Sequence, residues 1–477
     1  MTDSASLTPA GVDVAFERKD FWHPRDLREA ANTPTGSRVG PLLFLSAQVG
    51  RRLTDGALVT GLWDLDDEGE AALSTGYEHR DGREGPVQAQ TWAIYKNLEE
   101  ILAAHGSGIE HIVRQKIFVF APKDLASAEE AMLRFFPGGK PATTLTTLSA
   151  SGIDPRIRVQ VEVVALVPGQ GVQMEAVYVD GLEAVTSPYP QAVQIGQLLF
   201  TSGILGVNPQ TGRIATTLDE LPDHAREIVE QGRLVSDRGA EKLKTQVAFF
   251  FLHLKAILES RGGTQDDMLR QNFFTTMGMQ EWGLGSMVFR PRYYSGKHTA
   301  PTSAGVTVPA INADPDTVVI TDAVALLPGG PWAKEGQLDP VIDMTHLPMT
   351  ITAGPLAYTT GFVAMEKNFH GAVTSFAELA DSGRGLGAGR PDATEPLVSQ
   401  AWYTYDAIAR MLRDAGSDMS KVVHQTVLMR DASYYGVLEQ VALKRYGGSL
   451  PPTTILACDD IGPYPGLLFE VETVAVR

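Results

Sequence analysis

Cysteine is almost absent from this chain: Cys458 is the only one in 477 residues. A lone thiol excludes an internal disulfide framework and fits a reducing compartment. Basic charge is also scarce, with 40 lysines and arginines against 57 acids, a net charge of −17 and a pI near 5.1. Nucleic acids and anionic membranes need a basic face, so neither is an expected partner. No apolar run approaches the roughly 18 residues of a membrane span. The opening Met1-Thr-Asp-Ser-Ala-Ser lacks the basic-then-apolar pattern of a secretory signal, and the expectation is a soluble cytoplasmic protein. The ten histidines show neither H-x-x-x-H nor H-x-H spacing, so no metal site is expected.

What the chain does have is repetition. Pro141-Ala-Thr-Thr leads to Val159-Gln-Val-Glu-Val-Val-Ala-Leu-Val-Pro-Gly, and Pro301-Thr-Ser-Ala to Val318-Val-Ile-Thr-Asp-Ala-Val-Ala-Leu-Leu-Pro-Gly. Pro451-Pro-Thr-Thr leads to Phe469-Glu-Val-Glu-Thr-Val-Ala-Val. The step from Pro141 to Ala165 equals that from Pro301 to Ala325 and from Pro451 to Ala475. Recurrence of this kind marks internal duplication, and the length agrees with three domains of roughly 150 residues. Their expected bounds are 21–169, 177–329 and 339–477.

Each unit opens with a short apolar strand: Pro41-Leu-Leu-Phe-Leu-Ser, Gln197-Leu-Leu-Phe-Thr-Ser or Pro355-Leu-Ala-Tyr-Thr-Thr. Apolar residues at helical spacing predict a long helix over 86–105, 241–261 and 395–415, with Gly106, Gly262 and Gly416 as C-caps. Gln90, Gln246 and Gln400 lie equally far before those glycines and confirm the register. The interval 51–85 reads as a long loop, 221–239 as an extra charged helical segment, and 383–389 as a mobile glycine-rich loop. A strand, a second helix (125–136 in the first unit) and the repeated ending complete the plan. That order is α+β, one mostly antiparallel sheet with helices on one face. In the last strand Phe469, Val471, Thr473 and Ala475 point one way, and Glu470, Glu472 and Val474 the other. Three such sheets can cover their free faces around a pseudo-threefold axis, leaving clefts at the seams.

The stretch Ser187-Pro-Tyr-Pro-Gln-Ala-Val-Gln-Ile-Gly-Gln-Leu-Leu-Phe-Thr-Ser-Gly, running on to Val207-Asn-Pro-Gln-Thr-Gly, resembles the opening signature of the YjgF/RidA reactive-intermediate deaminases. The endings at Pro141 and Phe469 resemble that family's closing signature. The resemblance covers nearly the whole chain as three fused copies. It implies chorismate-mutase-like domains in an intramolecular pseudo-trimer around a central sheet barrel, with ligand pockets between copies. It also implies hydrolysis of enamines or imines to a keto acid and ammonia without metal or cofactor.

In the family an arginine on the closing turn binds the substrate carboxylate and a last-strand glutamate helps activate water. Here Thr143, Ser303 and Thr453 stand at the arginine position, and Gln160, Ile320 and Glu470 at the glutamate position. The family's pocket tyrosine corresponds to Tyr189, and its pocket glycine to Gly203 and Gly361, with Ala47 in the first copy.

Glu470 is the candidate acid/base, since desolvation on a partly covered sheet can raise a carboxyl into a useful range; the alternative is a solvated or hydrogen-bonded strand glutamate. Substrate-binding candidates are Tyr189, Ser202, Gly203, Gly361, Thr143, Ser303, Thr453 and Glu472. The column Glu162, Asp322 and Glu472 also reads as a shared structural hydrogen bond. Cys458 reads as a buried apolar residue and His424 as a satisfied strand histidine. The expected function is a cofactor-independent hydrolase or deaminase of a small reactive intermediate. The alternatives are a non-catalytic small-ligand-binding or regulatory protein and a chorismatase-like enzyme. The expected partner is a small-molecule substrate, with monomer and dimer both open.

Overall fold

A computed structural model describes residues 16–25, 27, 30, 32–169, 171–231, 240–296, 298–338, 348–365, 371–384, 394–462 and 464–477. Among these, the strands form sheets of seven, eight and eight strands and one two-stranded ladder. The same five-strand order recurs in each large sheet. In the first it is Gly36–Val39, Leu42–Leu45, Val159–Leu166, Ile112–Val119 and Ala142–Thr147. The second places Val319–Leu326 between the hairpin 192–201 and the strand Met268–Thr275, with Thr302–Thr307 outside. The third places Phe469–Val476 between the hairpin 350–359 and Val422–Met429, with Thr453–Ala457 outside. Neighbours are antiparallel except the last two of each order, which are parallel. A parallel pair needs a crossover, and the second helix of each unit supplies it.

Each closing strand sorts its side chains as the alternation predicts. Val159, Val161, Val163 and Ala165 pack on Ile94, Leu98 and Leu102 of the long helix Glu78–Ala104. The opposite faces of the three sheets meet one another. Val164, Val324 and Val474 share one apolar cluster with Phe44, Phe200 and Tyr358, while Phe118, Phe274 and Leu428 share another. All three middle strands carry a register shift at the same place, before Arg114, Arg270 and His424.

The units also clasp one another in cyclic order. The amide of Gly203 donates to the Thr143 carbonyl at 3.0 Å, that of Gly361 to Ser303 at 2.9 Å, and that of Ala47 to Thr453 at 3.2 Å. Residues 150–151 of the first unit add a strand to the third sheet, and 460–461 of the third unit add one to the second. Among the described residues the strands close no barrel, and the sheets remain separate ladders. Their facing surfaces are held together by side-chain packing.

The helices differ from expectation chiefly over 51–85, and Asp381–Arg384 is helical where a glycine-rich loop was expected to begin. The interval 51–85 is not a loop: it holds the helix Asp67–Leu73, and the first long helix starts at Glu78 with Pro86 inside it. The side chain of Asp66 accepts from the Gly69 amide and caps the short helix. Asp81 in turn accepts from the Thr75 amide and hydroxyl at the start of the long one. In the second and third units the long helices are Glu241–Ser260 and Glu395–Asp414. Gly106, Gly262 and Gly416 follow them at φ of 75°, 75° and 78°, the left-handed conformation that ends a helix. The segment 221–239 is helical over Asp223–Gln231, and 232–239 lie outside the described residues, as do 385–393 of the glycine-rich insertion. No helix among the described residues is long and apolar enough to cross a membrane.

Candidate functional site

The three seams share one backbone plan and differ in side chains. At each clasp a hydroxyl one residue before the glycine or alanine accepts from the opposing strand: Ser202 from the Thr143 amide, Thr360 from Ser303 and Ser46 from Thr453. Beneath each clasp lies the closing-strand residue, Ile320, Glu470 or Gln160 in turn. A Cβ built on Gly203 would fall 2.5 Å from Ile320 Cδ1, and one on Gly361 1.8 Å from Glu470 Oε1. At both places a side chain larger than hydrogen would press on the inward residue, which would have to shift.

The first seam, between units one and two, opens into a cavity of about 360 Å³. It gathers Thr143, Gly203 and Tyr189, together with Glu129, which sequence reasoning missed. The Tyr189 hydroxyl donates to Glu129 Oε1 at 2.5 Å. Burial, and then the adjacent Glu129, push the phenol well above its ordinary range, so Tyr189 stays a neutral donor. Glu129 lies on the helix Leu125–Leu133 of the neighbouring unit; the signal that could have found it is that a nearly buried phenol needs an acceptor. Ser202 backs this seam, its hydroxyl donating to the Pro190 carbonyl at 2.6 Å.

Of the turn hydroxyls Thr143, Ser303 and Thr453, the two threonines are already engaged. Thr143 Oγ1 donates to Pro141 and accepts from Gln115 Nε2 at 3.1 Å. Thr453 does the same with Pro451 and Gln425 at 3.0 Å. These threonines lock the turn, and Thr453 lies at the third seam, with Ser46 and Gln160.

The second seam holds Glu470, Gly361 and Ser303. Glu470 is 3% exposed. Burial pushes its carboxyl up to about 8, the charge of Glu472 adding to the effect and a hydrogen bond from the Gly305 amide opposing it. At neutral pH this carboxyl is mostly protonated, a proton donor held at a junction between units.

Glu472 lies apart from both, in a polar layer where the three sheets meet. Asn272 Nδ2 donates to its two oxygens at 3.1 Å each, and Arg270 stands 3.7 Å away. Lys116 pairs with Asp322 at 3.3 Å and Arg114 with Glu162 at 3.1 Å. The Thr454 hydroxyl donates to Glu162 at 2.9 Å. Burial works against the Glu162 charge, yet His424, Lys116 and Arg114, with the Thr454 hydrogen bond, outweigh it and hold the carboxyl at about 2. Burial lowers His424 in turn. Three acids thus face three permanent cations, and the free space among them is about 10 Å³, no more than one water needs. This is a structural ion network rather than a ligand pocket. Arg114, Lys116 and Arg270 sit in strands that otherwise read as core, which was the available signal.

Cys458 is buried, its thiol donating to the Met429 carbonyl and pushed up by burial. Among the described residues no group of three or more His, Cys, Asp and Glu side chains is placed to hold a metal ion.

Residues 68–167 match the family model Endoribonuclease L-PSP. That is the YjgF/RidA family. Protein DfrA of Myxococcus xanthus is 33% identical over 83 residues, 17% of this chain and 62% of that protein. A RutC family protein of Pasteurella multocida is 34% identical over 64 residues, 13% of this chain and 50% of its own length. The chain therefore spans between half and two thirds of the curated relatives it matches. A solved chorismatase is 12% identical with a TM-score of 0.46, covering 77% of this chain and 94% of that one.

Proposed function

We propose that this chain is a small-molecule-processing YjgF-like enzyme, three tandem copies folded as an intramolecular pseudo-trimer, acting in the cytoplasm without a cofactor. Its reaction is hydrolysis of a small imine or enamine at the second seam. The observation that carries the reading is Glu470, a carboxyl raised to about 8 and seated over Gly361 where two units meet. The family match over 68–167 supports the class of protein.

In the proposed reaction the Glu470 carboxyl gives its proton to the imine nitrogen. The carboxylate so formed takes a proton from water as the water oxygen attacks the carbon. Return of that proton to nitrogen breaks the C–N bond and releases ammonia. The new hydroxyl gives up its proton to Glu470 as the carbonyl forms, which leaves the carboxyl neutral again. A donor with a pKa near the working pH suits both halves of this exchange. The test is ammonia release from a panel of small imines by the wild type and by Glu470→Gln. Release that is lost in the variant supports the assignment, and equal release by both removes it.

A second reading, ligand binding without turnover, is favoured by one observation: the open first seam carries Ile320 where the second carries Glu470. Binding across a broad panel with no ammonia release would decide for it.

A further inference from the structure

The first seam is acidic as well as open. Its cavity of about 360 Å³ is walled by Leu125, Leu145, Val185, Leu205, Ile311 and Ile320, and its ionisable side chains are Glu129, Asp314 and Tyr189. No lysine, arginine or histidine is among the lining residues. The phenol of Tyr189 is 8% exposed and occupies Glu129 Oε1, which leaves the second carboxylate oxygen as an acceptor. The Asp314 carboxylate at the rim accepts from the Asp316 amide at 2.9 Å. An adjoining cavity of about 510 Å³ shares Leu205, Asn312 and Asp314, and Arg213 enters only there.

An apolar chamber with two acids and no cation repels carboxylates, because a second negative charge would be buried without a partner. The same chamber suits an alkyl group ending in a positive charge. Tyr189 fixes the Glu129 carboxylate by hydrogen bonding, so the counter-charge is held in place before a ligand arrives.

We propose that the first seam is a binding site for small organic ammonium ions, with Glu129 as the counter-ion, Asp314 as a second acid at the rim, and the apolar walls enclosing the alkyl part. The site deepens the view that ligands enter at the seams, but it does not depend on chemistry at Glu470.

The test is titration of the isoleucine-methyl-labelled full chain, near neutral pH, with butylamine, 1-butanol and butyrate, followed by methyl NMR. Ile311 and Ile320 line the cavity and report on occupancy. Butylamine, present as its ammonium ion, is expected to shift both methyls, with affinity at least about tenfold above butyrate, as expected for a charge matched rather than opposed in a partly desolvated site. Glu129→Gln keeps the side-chain shape and is expected to weaken the amine about tenfold while leaving the other methyl signals in place. Asp314→Asn, at an exposed position, is expected to weaken it less. Glu470→Gln should leave the titration unchanged, which separates this site from the fate of the hydrolytic reading. Binding of butyrate as tight as that of butylamine, amine binding unaltered in both acid variants, or no shift at Ile311 and Ile320 with any probe would each overturn the proposal. The comparison of the three probes on the wild type decides even where a variant fails to fold.

Discussion

Replacing Glu470 with glutamine keeps the side chain's size and removes its titration, so the substitution isolates what burying this acid costs. In the folded chain the carboxyl is raised to about 8 from an ordinary 4.5. Below pH 4.5 the group is neutral in both states and contributes nothing. Between 4.5 and 8 the unfolded chain has released a proton that the folded chain retains, so stability falls as pH rises. Each unit corresponds to about 1.4 kcal/mol, giving roughly 3 kcal/mol lost by pH 7 and about 5 above pH 8. Glu470→Gln avoids this loss, and its side-chain oxygen can still accept from Gly305. Thermal or urea unfolding of both proteins at pH 5 and 8.5 is the measurement. The variant should match the wild type within about 1 kcal/mol at pH 5 and exceed it by several kcal/mol at pH 8.5. Two stability curves that run parallel across this range would show that Glu470 ionises normally, and the proposed proton donor would go with it.

Gly361→Ala places a methyl 1.8 Å from Glu470 Oε1 and 2.7 Å from Ala304 Cβ. It should cost about 1–3 kcal/mol and abolish ammonia release by displacing the carboxyl; an active, equally stable variant would contradict the packing. Lys116→Met leaves Asp322 buried without its ion partner and should destabilise by about 3–5 kcal/mol, measured by denaturant unfolding. Adding Asp322→Asn to that variant should recover much of the loss, and a purely additive double variant would show that the two are not coupled.

The repeated architecture was legible because it rests on periodicity within each unit. Alternation in 159–166 and 469–476 and helical spacing in 241–260 and 395–414 sort side chains before any tertiary contact forms. The glutamines that set the register share a structural role. Gln90, Gln246 and Gln400 accept from the amides of Arg158, Val318 and Leu468 and tie the long helix to the start of the closing strand. The interval 51–85 was misread because Gly and Asp are counted as loop formers, although Asp66 and Asp81 act there as helix-start acceptors. The seams were much less legible. Glu129 meets Tyr189 across 60 positions and Thr144 meets Asp322 across 178, so neither pairing exists until the sheets face one another. Sequence could nominate Thr143 and Thr453 for a ligand, but not show that Gln115 and Gln425 had already taken their hydroxyls.

If the seams share a backbone and differ only in what fills them, exchanging the filler should transfer the property. Ile320 and Glu470 occupy the same register in their closing strands, each opposite the second residue of the short strand that follows the clasp, Leu205 or Val363. Ile320→Glu would place a carboxyl beneath Gly203, among Leu145, Leu205 and the acidic Glu129–Tyr189 pair. Burial and that neighbouring acid would both raise it, so Ile320→Glu should match Ile320→Gln within about 1 kcal/mol at pH 5 and fall several kcal/mol below it by pH 8.5, the inverse of removing Glu470. Difference melts of Ile320→Glu against Ile320→Gln at the two pH values isolate the charge from the loss of the isoleucine packing. The open cavity leaves this new acid better hydrated than Glu470, which is 3% exposed. Its loss with pH should therefore be smaller than the gain from Glu470→Gln. A larger loss would mean that the first seam is drier than its cavity implies, and an absent one that the side chain turns outward instead of taking the place of Glu470.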